Sequence, residues 1–497
     1  LDVGILFAIF FVALAVRIHG LSFQPFWMDE ITTIQRASQP LFTIIVQSLT
    51  FHHLPAYFIL ISWIVHFGTG EMLVRLPSAV FSAMTCAVAA ATGRVIAGRA
   101  AGALSGLFLA FSPAQVSSGQ EARPQALAVL LIAIALYGLT KLALDPKSAS
   151  LPLRDRGANR SGWATYGLAT FGAVNVLGIA LLWAVVGWLA MLVIATQPGR
   201  RKHLLRTSAQ VHGAIALLTL PGYAAMLYFV HGYGRLLEGL DWIPPVTIER
   251  FGADSLSAYF LQIASPISFR AFPYAIPYMG AIVGVCAIVG LAYLWSNRVV
   301  FSILVLATVV LPLSLLSLSA LQPAWLLRYL LWSAVPFFII AGSAMAVLPS
   351  FARIPAISVI LALSFWNLRP YYQLEQKPRW DLAADTIETA IQQHDLILVA
   401  DVWVPRMMNV YLVRAGLKLS EDEWTSSVDT ALARIRDGDR VWVVFGRVGQ
   451  VDRENLDSFL QRIAPLGPPS AKWSVGLDIV VLLFEPPSKT VNAVTGN

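Results

Sequence analysis

Two adjacent carboxylates, Asp29 and Glu30, follow two large aromatics, Phe26 and Trp27, in the stretch PFWMDEITTIQR (residues 25–36), directly after the first long apolar run. Acids in or beside a bilayer are costly and call for water, a partner or a task. Held there, a carboxylate can act as a general base toward a hydroxyl or an amine. A plainer use, capping or solvating the first turn of a helix that starts near Ile31, stays open for Asp29. Arg123 stands in QEARPQ between two apolar runs, just ahead of Pro124, which suits the first turn of the helix that follows. A guanidinium at that place can grip a phosphate bidentately, or it can snorkel to lipid headgroups. Arg75, and Arg328 with Tyr329, stand at other run boundaries under the same two readings. His53, beside His52, and Glu121 could support a carboxylate or ligate a metal. Polar groups from several separate segments converge on one leaflet level, and such groups usually line a cavity.

The elements that must carry these residues are set by composition. The chain has 497 residues, 57% hydrophobic and 13% charged, against roughly 25% charged in soluble domains. Apolar runs of about 20 residues, the length of a membrane span, recur to about residue 368. This excludes an ordinary soluble enzyme. The excess of Lys and Arg (35 against 28 acids) collects in short loops between the runs, as the positive-inside rule expects, so no nucleic-acid partner is implied. Cys86 and Cys286 both fall inside apolar runs and are expected as buried thiols. The first run is expected to double as an uncleaved signal.

About eleven spans are expected, at 3–20, 74–94, 100–117, 124–144, 163–180, 182–197, 208–230, 273–296, 299–319, 328–348 and 354–368. Residues 30–50 carry apolar positions at helical spacing, interrupted by Pro40, and predict two short amphipathic helices on the membrane surface. Residues 54–67 are too short to cross and read as a third juxtamembrane piece in the outer loop 21–73. With that parity, the basic loops holding Lys147, Arg154, Arg156 and Arg160, and GRRKHLLR, fall inside.

After Arg369 the character changes: 31 of the 63 charges lie in the last quarter. Strand-length apolar runs at 396–402, 441–445 and 479–484 alternate with helical patterns at 382–393, 404–414, 428–436 and 452–463. This predicts a soluble α/β domain at 369–497 beside a membrane domain at 1–368, on the same side as the first loop.

The order WMDE, HLPAYF, VRLPS, SSGQEARPQAL, LLRYLLWSAVP and PRWDLAADTI resembles the bacterial membrane glycosyltransferases related to protein O-mannosyltransferases and lipid A aminoarabinose transferases. The resemblance spans roughly residues 5–400. It implies a GT-C fold, a polyprenyl-phosphate-linked sugar as donor, and inversion at the anomeric carbon. It makes the first acid, Asp29, the catalytic carboxylate, followed by Glu30. It places the active site and the C-terminal domain on the periplasmic side of a bacterial inner membrane. His53–Phe58 match the pattern HPPLYY, with Leu54 and Ala56 where Pro and Leu are usual. Gly119–Gln125 match SQEARPY, with Gly119 for Ser and Gln125 for Tyr. A His usual outside the fifth span has no counterpart; Asn175 lies near that place.

On this reading Asp29 is the base, with Glu30 beside it, and Arg123, Arg75, Arg328 and Tyr329 bind the donor phosphate. His53 and Glu121 support them or hold a divalent metal, which no dense ligand cluster demands. Trp242 and Trp325, in outer loops, are candidates to stack on a sugar. The acceptor is a lipid, glycan or protein, and membrane lipids surround the chain. The competing class is a transporter or flippase of a lipid-linked or anionic substrate. It would show an internal repeat, broken helices near the midplane and charges deep within spans; here the charges sit at run ends.

Overall fold

The computed structural model describes residues 2–144, 157–197, 201–232, 243–265, 270–401, 403–446, 456–476 and 479–486. The expected inner-loop cations Lys147, Arg154 and Arg156, and Trp242, lie outside these. The chain forms two compact units: residues 1–21 with 32–374, and residues 22–31 with 375–497.

The first unit is helical. Its elements are α1 (Asp2–Ile18), α2 (Met28–Ala37, whose first turn belongs to the second unit), α3 (Leu41–Thr50), α4 (Ala56–Val65), α5 (Glu71–Ala97), α6 (Arg99–Ala110), α7 (Pro113–Gly119) and α8 (Gln125–Leu144). They continue with α9 (Gly157–Val176), α10 (Leu181–Ile194), α11 (Arg201–Gly232), α12 (Ile248–Tyr259), α13 (Met279–Leu294), α14 (Arg298–Ser319), α15 (Leu327–Gly342) and α16 (Ser350–Leu368). Pro40 separates α2 from α3, as the interrupted periodicity predicts, because its ring cannot continue the preceding helix. Among the described residues six helices are long and apolar enough to cross a membrane, seven if the bent pair α6–α7 is one span. Eleven were expected. The helices at the first, sixth and eighth expected spans are 17 residues or shorter, below the roughly 20 that a bilayer core asks for; α9, at the fifth, is not among the six.

Helices α5, α6, α8 and α15 pack on one another around one apolar core, which includes Cys86, Leu104, Phe108, Leu136 and Phe338. Small residues let backbones approach, as in other membrane bundles. A Cβ on Gly102 would lie 2.4 Å from the Ala90 carbonyl oxygen, so α6 can seat on α5 only with glycine there. Cys86 and Cys286 are free, buried thiols, as expected.

The expected third span is broken: α6 and α7 are bent by 63° about Phe111–Ser112. A break inside a bundle strands the last carbonyls of the first helix. Arg17, fully buried near the end of α1, supplies them. Its Nη1 donates to the Ala110 carbonyl at 3.1 Å, its Nη2 to the Leu109 carbonyl at 3.2 Å, and its Nε to Ser82 Oγ at 2.7 Å.

The second unit is α/β. Strands β1 (Leu396–Val399), β2 (Trp424–Thr425), β3 (Val441–Gly446), β4 (Ala471–Val475) and β5 (Ile479–Phe484) form one sheet in the order β2-β1-β3-β5-β4. β1 pairs parallel with β2 and β3; β5 runs antiparallel to β3 and β4. Helices α17 (Trp380–Glu388), α18 (Val404–Arg414), α19 (Val428–Asp437) and α20 (Leu456–Ile463) accompany it. β3 is buried at every position, which is why it reads as a continuous apolar run. β2 and β4 sit at the two edges and had no counterpart in the sequence reading. β4 alternates exposed Lys472 and Ser474 with less exposed neighbours, so it lacks such a run.

Candidate active site

In the first unit the predicted cations gather at one end of the bundle. Arg75, in the first turns of α5, is 1% exposed and donates from Nη1 to the Leu21 carbonyl at 2.9 Å, just past α1. Gln120, at the end of α7, donates from Nε2 to the carbonyls of Arg17 and His19, at 2.9 and 2.8 Å. Its Oε1 accepts from Tyr371 Oη at 2.9 Å, beyond α16. The ends of α1, α5, α7 and α16 are thereby tied together. The tight turn that follows closes with the Arg123 N–H donating to the Glu121 carbonyl at 2.8 Å, and both side chains are buried. Arg328 and Tyr329 open α15, where the guanidinium carbon lies 5.8 Å from the Tyr329 ring centroid. α15 packs on α5 and α7, and Gln115 of α7 donates to the Leu331 carbonyl one turn further in.

Gly119, where the resemblance leads one to expect Ser, has a local cause. A Cβ there would stand 2.9 Å from Ser82 Cβ and 3.3 Å from Arg17 Cδ, so α7 needs glycine to seat against the arginine. His53 is half-buried; its ring lies 5.7 Å from that of Phe58, and its backbone amide donates to the Ser48 carbonyl at 2.9 Å. The preceding His52 takes φ 61°, the left-handed turn that joins α3 to α4. Among the described residues no group of three or more His, Cys, Asp or Glu could hold a metal ion. Asn175 donates to the Phe171 carbonyl of its own helix at 2.8 Å.

Above α15 lies the amphipathic helix α12, twelve residues long, outside the spans and packed on α7 and α15. Its Arg250 donates to the carbonyls of Pro244 and Trp325, and the guanidinium faces Asp254 at 3.8 Å. Burial pushes the Asp254 carboxyl up to about 6, against the downward pull of Arg250. Trp325, expected to meet a sugar, is instead fully buried with its ring 5.1 Å from that of Phe251. An indole beside an apolar helix face is worth more as core than exposed.

In the second unit, residues 22–31 carry the acidic pair. Trp27 N–H donates to Glu30 Oε2 at 3.4 Å, while the Glu30 and Ile31 amides donate back to the Trp27 carbonyl at 2.9 and 3.1 Å. Glu30 is fully buried, and its Oε2 receives Lys377 Nζ at 2.8 Å. Asp29, on the same turn, is half-buried. Neighbouring side chains on a helix diverge by about 100°, so the two acids meet different surroundings. Arg17 and Lys377 escaped the sequence reading. For Arg17 the signal was available: an arginine close to the end of an apolar run is expensive unless it is bonded.

Residues 52–154, which hold His53, Arg75, Glu121 and Arg123, match the family model of dolichyl-phosphate-mannose-protein mannosyltransferase. No curated protein sequence matches the chain. Among solved structures, ArnT from Cupriavidus metallidurans in the apo state is similar with a TM-score of 0.59 at 14% identity, over 97% of this chain and 98% of that one. The same protein bound to undecaprenyl phosphate gives 0.54 at 13% identity, over the same 97% and 98%. The oligosaccharyltransferase of Archaeoglobus fulgidus in its apo form gives 0.52 at 11%, over 81% of this chain and 63% of that one. The chain is thus a multi-pass membrane protein with the GT-C glycosyltransferase fold, and the segment holding its buried Glu121–Arg123 turn matches the mannosyltransferase family.

Proposed function

We propose that this protein moves a sugar from a polyprenyl-phosphate carrier to an acceptor hydroxyl or amine at the periplasmic face of a bacterial inner membrane. The observation that carries this reading is the likeness, along almost the whole chain, to an ArnT structure that holds undecaprenyl phosphate. Buried arginines at one end of the present bundle agree with it. Asp29 takes the acceptor proton as the acceptor atom bonds to the anomeric carbon. The bond from that carbon to the phosphate oxygen breaks, and its electron pair leaves with the polyprenyl phosphate. Arg123, with Arg75, Arg328 and Tyr329, stabilises the charge gathering on that phosphate. Preorganised donors of this kind are each worth about 3 kcal/mol in a dry site; the base contributes roughly 10²–10⁴-fold. Glu121 and His53 support the phosphate-binding end. Attack opposite the leaving phosphate inverts the anomeric centre.

The test is turnover of a radiolabelled undecaprenyl-phosphate hexose or aminopentose panel with membrane-extract acceptors, by wild type and Asp29→Asn. Transfer by the wild type that Asp29→Asn loses, with undecaprenyl phosphate binding kept, is the expected result. Wild-type turnover in Asp29→Asn removes Asp29 from the reaction. Failure of the purified protein to bind undecaprenyl phosphate removes the donor class.

A further inference from the structure

The segment that carries the acidic pair is built into the α/β unit as one of its parts, although more than 340 residues separate the two in sequence. Gln24 Oε1 accepts from the amides of Gln376 and Lys377 at 3.2 and 3.3 Å. The Phe26 amide donates to Tyr411 Oη at 2.6 Å, and the Arg414 guanidinium stands over the Phe26 and Tyr411 rings at 5.3 and 5.2 Å. Glu30 Oε2 then accepts from the Trp27 amide, which closes the first turn of α2, and from the Lys377 ammonium. A fully buried carboxylate is tolerable only with such partners. Its bond to the Trp27 amide resembles the reciprocal half of a capping box and fixes where the turn begins.

We infer that Lys377 is a positioning residue for Asp29: it anchors Glu30, Glu30 fixes the turn, and the turn aims the neighbouring carboxylate. Glu30 is then a support rather than a second base, and the α/β unit is required for the chemistry. This rests on the reading of Asp29 as the base.

The experiment uses the full chain in nanodiscs and reads two quantities: hydrogen exchange of the amides in residues 22–31, and kcat and KM on the undecaprenyl-phosphate sugar panel. Lys377→Ala should raise exchange in that segment by roughly tenfold or more, and lower kcat by a comparable factor with the donor KM unchanged. Lys377→Arg should restore both. If Lys377→Ala does not fold, the milder Lys377→Gln, which can still donate to Glu30, substitutes; it should raise exchange in the segment and lower kcat together, each by less than Lys377→Ala. A loosened segment with unchanged kcat overturns the inference, as does a fall in kcat with the segment still protected. The exchange measurement involves no substrate, and Asp29→Asn tests the base separately. Failure of the positioning role is therefore distinct from failure of the proposed reaction.

Discussion

Glu30 Oε2 lies 2.8 Å from Lys377 Nζ, and neither side chain is more than 7% exposed. Removing the lysine alone takes a buried cation away from a buried carboxylate, a loss of about 3–5 kcal/mol. Replacing both by Gln and Met removes the charges together and should cost far less. The check is the difference in thermal unfolding midpoint among wild type, Lys377→Ala and the double variant. Equal midpoints for the two variants would mean that burial of the charge is not the issue.

Arg123→Ala should weaken binding of undecaprenyl phosphate by about 1.5–3 kcal/mol, the worth of charge-assisted bonds, or roughly ten- to a hundredfold. Arg123→Lys keeps the charge but loses the planar fork, so it should recover only part. Native mass spectrometry of the lipid-bound fraction measures both. Unchanged binding in Arg123→Ala would move the phosphate elsewhere.

Arg17→Met should destabilise the bundle by about 3 kcal/mol or more, because the Leu109 and Ala110 carbonyls and Ser82 Oγ lose a charged donor in a buried place. Ser82→Ala removes one of these acceptors and should cost about 1 kcal/mol. Cys86 and Cys286 are buried and free, so a thiol-reactive fluorophore reports unfolding directly. A melting midpoint for Arg17→Met equal to wild type would show that water can serve the α6–α7 break as well.

Gly119→Ala puts a methyl 2.9 Å from Ser82 Cβ, an overpacking that costs about 1–3 kcal/mol. The same thiol assay checks it. A stable Gly119→Ala protein would mean that α7 can slide away from Arg17.

Asp254 is 3% exposed, and burial raises its carboxyl from 3.8 to about 6. At this group the folded protein therefore binds more protons than the unfolded chain across that interval, so its contribution to stability is greatest below it and is lost as pH rises through it. The loss amounts to at most ~3 kcal/mol. Asp254→Asn removes the titration, so its unfolding midpoint, followed by tryptophan fluorescence from pH 4 to 7, should fall less steeply than that of wild type. Parallel profiles would mean that Arg250 holds the carboxylate ionised throughout.

What the sequence determined by itself was whatever local patterning controls. Apolar runs gave the helices, Pro40 the break between α2 and α3, and three short buried runs the central strands β1, β3 and β5. The acids and arginines could be named because charged residues at the ends of apolar runs are few and costly. The tertiary structure decided everything that depends on partners distant in sequence. It bent the third expected span and bonded Arg17 to the carbonyls exposed there. It placed the edge strands β2 and β4, whose residues lack a buried run. It turned Trp325 into core. Above all it seated residues 22–31 in the α/β unit and matched Glu30 with Lys377. Spacing along a chain carries periodicity, whereas an ion pair across 347 positions is a product of packing.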